Sequence, residues 1–119
     1  KKGSIINIAS VEALTPGLGL GIYSTSKAAI LMLSKNQAKE WGKYGIRVNA
    51  ICPGLIKTKF SAALWQNEKI LGKIQKSLPS ARMGMPEEMV GLACLLASDA
   101  GGYMTGGVYT ADGGYMIAG

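Results

Sequence analysis

Apolar positions are grouped along the chain with two different periods. Ser4-Ile5-Ile6-Asn7-Ile8-Ala9 is a short run rich in β-branched residues with little polar alternation. That pattern predicts a strand buried on both faces, as in a parallel sheet. A loop follows, containing Pro16, Gly17, Gly19 and Gly21. From about Ser24 to Trp41 the period lengthens. Ala28, Ala29, Leu31, Met32 and Leu33 make a wide apolar helix face, and Lys35, Lys39, Glu40 and Lys43 mark a wet one. Gly42 and Gly45 supply stop signals. Arg47 to Cys52 predicts a second strand, ended by Pro53-Gly54.

Strand, helix, strand is a βαβ unit and implies a parallel pair. Between Thr58 and Ser80, Trp65, Ile70, Leu71, Ile74 and Leu78 mark the apolar side of two short amphipathic helices or a lid. Pro86-Glu87-Glu88 opens another helix, proline in the first turn and acids at the positive end of the dipole. It runs through Leu92, Ala93, Leu95 and Leu96 to Ala97, and Val108 to Ala111 predicts a last strand before Asp112-Gly113-Gly114. The fold class is therefore α/β. A doubly wound nucleotide fold is built from two βαβαβ halves, and residues 1–119 supply about one of them as a single partial domain.

Composition narrows the function. With 48% hydrophobic residues, a packed core is expected. The chain has no histidine, and its two cysteines, Cys52 and Cys94, lie far apart. A Cys/His metal site and a His-based triad are both disfavoured, and both cysteines are expected to be small buried hydrophobes. The net charge is +6, but the lysines are scattered at helical spacings instead of forming a block. Solvated helix faces explain them better than nucleic-acid binding does. No apolar run reaches the length of a membrane span, and a cytoplasmic protein without membrane contact is expected.

The candidate chemistry lies in Tyr23-Ser24-Thr25-Ser26-Lys27. Tyr and Lys four apart share one face of a helix, one turn apart. An ammonium beside a phenol favours the phenolate, which lets the pair act in general acid–base catalysis. With five tyrosines in the chain, such a pair alone is weak evidence. Its placement strengthens it: a helix that follows a parallel strand begins at the carboxyl edge of the sheet, where ligands bind in this class. Ser10 ends the first strand at that edge and Pro53-Gly54 ends the second, so three segments converge on one crevice. A serine hydroxyl there could donate to a carbonyl oxygen as charge develops on it.

Ser10, Tyr23 thirteen residues later and then Lys27 resemble the catalytic signature of the short-chain dehydrogenase/reductase (SDR) family. The resemblance spans the chain. Gly3 to Ser10 is similar to the strand before the catalytic serine, and Ile46 to Thr58 to an "RVNxxxPGxIxT" segment. Arg82 to Glu88 is similar to an "RxGxPEE" turn, and Thr105-Gly106-Gly107 with Asp112-Gly113-Gly114 to the closing strand.

The resemblance implies the C-terminal half of a Rossmann-type sheet with flanking helices and an oxidoreductase using NADP or NAD, NADP slightly preferred. Tyr23 would be the proton donor or acceptor, Lys27 would hold the nicotinamide ribose, and Ser10 would orient the carbonyl; Ser10 and Tyr23 would also bind substrate. Pro53, Gly54, Ile56 and Thr58, with Tyr23 and Lys27, would contact the cofactor. A small carbonyl or alcohol substrate, a homodimer or homotetramer and no metal are implied. Leu55 to Ser61 with Leu64-Trp65 is locally similar to NADP-dependent carbonyl and retinal reductases. The spacing of Tyr23 and Lys27 is narrower than in enoyl reductases of related fold.

The glycine-rich phosphate-binding turn and the Asn-Asn-Ala-Gly segment of the family are not in these residues. They are therefore expected to be a fragment, inactive alone, with a non-catalytic oligomerisation or binding remnant as the alternative. Leu64, Trp65 and Leu71 are expected to form either a pocket wall or helix core. Leu18 and Leu20 are possible pocket residues, and so is Glu12, two residues past the serine, for which a solvated loop carboxylate is the favoured reading.

Overall fold

The computed structural model describes residues 2–118. Three strands, β1 (Gly3–Ile8), β2 (Ile46–Pro53) and β3 (Val108–Ala111), form one parallel sheet in the order β1-β2-β3. The register runs Gly3↔Ile46 to Ile8↔Ile51 on one side of β2 and Ala50↔Val108 to Pro53↔Ala111 on the other. The helices are α1 (Gly21–Trp41), α2 (Ala62–Trp65), α3 (Glu68–Ser77) and α4 (Val90–Ala97).

Side chains alternate between sheet faces, and the two faces of β2 take different partners. Ala50 and Cys52 pack with Ala9 and Leu31 of α1, edged by Ala13, Ile30 and Val108. On that face Asn7 donates to Ser34 Oγ (2.8 Å) and Gln37 Oε1 (3.1 Å), which ties β1 to the middle of α1. From the opposite face Ser4 donates to the Leu96 carbonyl of α4 at 2.8 Å, and Leu96 is fully buried. Helices therefore cover both faces, as a parallel sheet requires. Central β2 is the best-buried element. β1 stays half-buried, because β2 is its only neighbour in the sheet among the described residues. The sequence pattern predicts a fully buried strand there, and only one side of it is filled.

Two residues of the Ile46–Thr58 segment are structural. Arg47 donates to the carbonyls of Ser98 (3.1 Å), Gly101 (2.7 Å) and Met104 (3.2 Å), gathering the connection that follows α4. Asn49, fully buried, donates to the Met104 carbonyl at 2.8 Å and accepts from the Gly107 N–H at 3.0 Å. These bonds set the chain into β3.

Two sequence expectations need correction. α1 begins at Gly21, three residues before Ser24, so Tyr23 already lies in its first turn. Cys94 is exposed, whereas Cys52 is buried as expected. α4 is apolar on every side (Val90-Gly91-Leu92-Ala93-Cys94-Leu95-Leu96-Ala97), so composition does not mark which side is inward.

Candidate active site

The carboxyl ends of β1 and β2 open into a cleft of about 570 Å³ whose lining includes Ser10, Tyr23, Pro53, Gly54, Ile56 and Thr58. Six of the seven residues expected at the site therefore meet there. Lys27 lies one turn further along α1, its Nζ 5.6 Å from the centre of the Tyr23 ring. Neither the Tyr23 hydroxyl nor the Lys27 ammonium has a hydrogen-bond partner among the described residues.

Ser10 is nearly buried and caps the short 3-10 turn Val11–Ala13, its Oγ accepting from the Glu12 N–H at 3.1 Å. A hydroxyl that accepts from the backbone keeps its own proton for another acceptor. Cys52 lies beneath it; burial pushes the thiol up, partly offset by a hydrogen bond to the Ser10 backbone, so the group is neutral packing.

The floor is made by the turn after β2. A Cβ on Gly54 would stand 2.6 Å from Cα and 2.7 Å from Cβ of Asp112, so only a bare backbone fits between the ends of β2 and β3. Ile56 bridges to Gly84, with Lys57 N–H bonded to the Gly84 carbonyl and Gly84 N–H to the Leu55 carbonyl, both at 2.9 Å. The Ile56 carbonyl accepts from Ser61 Oγ at 2.6 Å, and the Ile56 N–H has no partner among the described residues. A flat, planar group with a carboxamide fits this cradle: a side-chain-free floor, an unused amide donor, and a phenol and a hydroxyl opposite. Thr58 is exposed at the rim, its N–H bonded to Ser61 Oγ at 2.9 Å.

A clasp holds the floor from below. Glu88 accepts from both terminal nitrogens of Arg82 at 2.7 Å and from the Met85 N–H at 2.9 Å, across the turn that carries Gly84. The Arg82 hydrogen bonds hold the Glu88 carboxyl down at about 2, against a usual 4.5. A carboxyl depressed in the folded state stabilises it fully above the unfolded value and loses that effect as pH falls towards the folded one. Glu88→Gln is therefore expected to flatten the pH dependence of stability between about 4.5 and 2. Urea midpoints across that range check it; parallel profiles for the two proteins would show that the clasp does not couple to folding.

Several wall residues differ from expectation. Glu12 lines the cleft instead of standing in solvent. Leu20 and Leu64 line it as well, but Leu18 is fully exposed. Leu71 does not line it, and Trp65 instead donates its indole N–H to the Thr58 carbonyl at 2.9 Å, with Lys57 Nζ 4.7 Å from its ring centre. Ile8, Phe60, Pro86 and Met89 also line the cleft, and none of them was expected at the site. Met89 is brought in by the Pro86–Met89 3-10 turn that precedes α4, which periodicity reads as plain helix.

Comparison with known proteins settles the family. A family model described as enoyl-(acyl carrier protein) reductase matches residues 1–116. Dehydrogenase/reductase SDR family member 4 of Oryctolagus cuniculus is 43% identical over 112 residues, covering 94% of this chain and 43% of that protein. The chain belongs to the short-chain dehydrogenase/reductase family.

The 3-oxoacyl-acyl-carrier-protein reductase FabG of Chlamydia trachomatis serovar D is 42% identical over 114 residues, covering 96% of this SDR chain and 45% of that protein. Among solved structures, a gluconate 5-dehydrogenase from Burkholderia cenocepacia J2315, in complex with NADP and tartrate, superposes with a TM-score of 0.95 at 33% identity. It covers 99% of this chain and 46% of its own. A 4-hydroxyisoleucine dehydrogenase complexed with NADH also reaches 0.95 at 35% identity, with 99% and 49% covered. The chain thus spans less than half the length of these SDR relatives, and their names cover several reactions. The family and the Rossmann-type fold are shared; one substrate is not.

Proposed function

We propose that the chain is the catalytic half of an NAD(P)-dependent oxidoreductase that interconverts a carbonyl and an alcohol. The convergence of Ser10, Tyr23 and the Pro53–Ile56 floor on one cleft, with Lys27 a turn away, carries this reading. The adenosine end of the dinucleotide would be held by residues outside this chain. When bound, the nicotinamide supplies or accepts the hydride. Ser10 donates a hydrogen bond to the substrate oxygen and orients it, keeping its proton. Tyr23 gives that oxygen a proton in reduction and takes one in oxidation. The Lys27 ammonium, beside the Tyr23 ring, would reach the ribose hydroxyls, while the Ile56 backbone would receive the carboxamide and Thr58 would contact the cofactor from the rim. The Oryctolagus cuniculus relative is named a dehydrogenase/reductase, and the bound NADP of the Burkholderia neighbour goes with a carbonyl reductase that prefers NADP. A cytoplasmic homodimer or homotetramer goes with this reading. On α1, Ile22 (90% exposed), Met32 (59%) and Leu33 (51%) leave an apolar face suited to such assembly.

The test uses the product of the complete gene, titrated with NADPH and NADH by fluorescence and assayed for oxidation of either against small ketones. Lys27→Ala is expected to weaken both dinucleotide binding and turnover. If the wild-type protein binds neither dinucleotide, the redox reading falls and the assembly reading alone remains.

A further inference from the structure

Glu12 is the one charged side chain in the described lining of the cleft, whose other polar members are hydroxyls. Ile8, Leu20, Phe60, Leu64 and Met89 surround the cleft, and Glu12 follows Ser10 by two residues along the same lining. Its Oε1 accepts from Ser24 Oγ at 3.4 Å and its Oε2 from the Tyr115 hydroxyl at 3.3 Å. Hydrogen bonds from hydroxyls to a carboxylate ordinarily close to about 2.5–2.7 Å. Both contacts are long, and a carboxylate has about four lone-pair sites. Glu12 takes part in neither of the two ion pairs among the described residues. The carboxylate is therefore held in place but under-satisfied. The loop makes room for it, because a Cβ on Gly17 would collide with Glu12 Oε1. Tyr115 approaches from a site 103 residues away in sequence, and its phenol is pushed up by burial and by the Glu12 charge, so it stays a neutral donor.

We infer that Glu12 is a specificity-determining residue: it accepts a hydrogen bond from an ammonium or hydroxyl group on the substrate and turns away substrates carrying an anion at that position. This rests on the reading of the cleft as the place where a carbonyl or alcohol reacts, and it adds the class of substrate. The partner is a compound with an apolar body and a hydrogen-bond donor placed to one side of its reacting carbon.

Matched aryl methyl ketones test it, carrying aminomethyl, hydroxymethyl, carboxylate or no substituent at the meta or para ring position. Binding is measured by NMR titration and reduction by NAD(P)H oxidation, both on the product of the complete gene. The wild-type protein is expected to favour the aminomethyl over the carboxylate ketone by about 10- to 100-fold in affinity and in kcat/KM, as a hydrogen bond to a charged group allows. The hydroxymethyl ketone should fall between them. In Glu12→Gln that ratio should shrink towards one through KM, with the aminomethyl ketone losing more than the unsubstituted one.

Equal use of the aminomethyl and carboxylate ketones by the wild-type protein overturns the inference, and needs no variant to show it. So does a Glu12→Gln protein that weakens all four ketones alike, as loss of a purely structural tie would. A binding preference without reduction of any ketone leaves this inference standing and removes the redox reading; reduction without preference does the reverse.

Discussion

Tyr23→Phe is expected to lower kcat by about 10²–10⁴-fold, the range that a positioned general acid or base contributes, while leaving dinucleotide affinity nearly unchanged. The phenyl ring keeps its place in the first turn of α1, and the lost hydroxyl has no hydrogen-bond partner among the described residues. The fold therefore loses nothing but the proton. Melting temperature, dinucleotide titration and single-turnover reduction, measured side by side, separate chemistry from binding. A Tyr23→Phe protein with near-normal turnover would remove the phenol from the reaction and leave Ser10 as the only hydroxyl among the expected catalytic residues.

The second large effect falls on stability. Asn49→Ala removes a fully buried side chain that satisfies the Met104 carbonyl and the Gly107 N–H, at 2.8 and 3.0 Å. The Gly107 N–H loses its acceptor, while the Met104 carbonyl keeps Arg47 at 3.2 Å; one group left unpaired costs about 1–3 kcal/mol, and a loss of that size is expected. Asn49→Asp should cost more at neutral pH, because it places a carboxylate where the neighbouring Met104 carbonyl needs a donor. Urea unfolding of the product of the complete gene measures both. A loss below about 1 kcal/mol would mean that the turn into β3 is held by its other bonds, such as Gly106 N–H to the Val48 carbonyl at 2.7 Å and Arg47 to the Met104 carbonyl at 3.2 Å.

What could be read from the chain follows the range of the forces involved. β2, β3 and the body of α1 are local patterns of apolar residues, and they fall where the pattern puts them. The start of α1 does not, because Leu20 makes no side-chain cap and no Ser, Thr, Asp or Asn announces Gly21. The meeting of Ser10, Tyr23 and Gly54 was legible, since parallel strands deliver their ends to one edge. The choice between pocket and solvent for Glu12 was not. Its position depends on Tyr115 and on the space left at Gly17, neither of which a local period records. Cys94 shows the same limit from the other side: an all-apolar helix carries no mark of its inward face.

The contact between Gly54 and Asp112 reaches further than the floor of the cleft. Asp112 accepts from the Gly114 and Met116 N–H groups at 3.0 and 2.9 Å and so shapes the turn that presents Tyr115. That turn passes through Gly113 and Gly114, both at positive φ. Two stretches separated by more than fifty residues thus share one space. A combinatorial library that varies 53–58 alone should return few folded members. One that varies 54 together with 112 should still keep glycine at 54, because a Cβ there meets the Cα of 112, which no substitution at 112 removes. The mutational tolerance of the turn after β2 is in this sense written more than fifty residues downstream, at the close of β3.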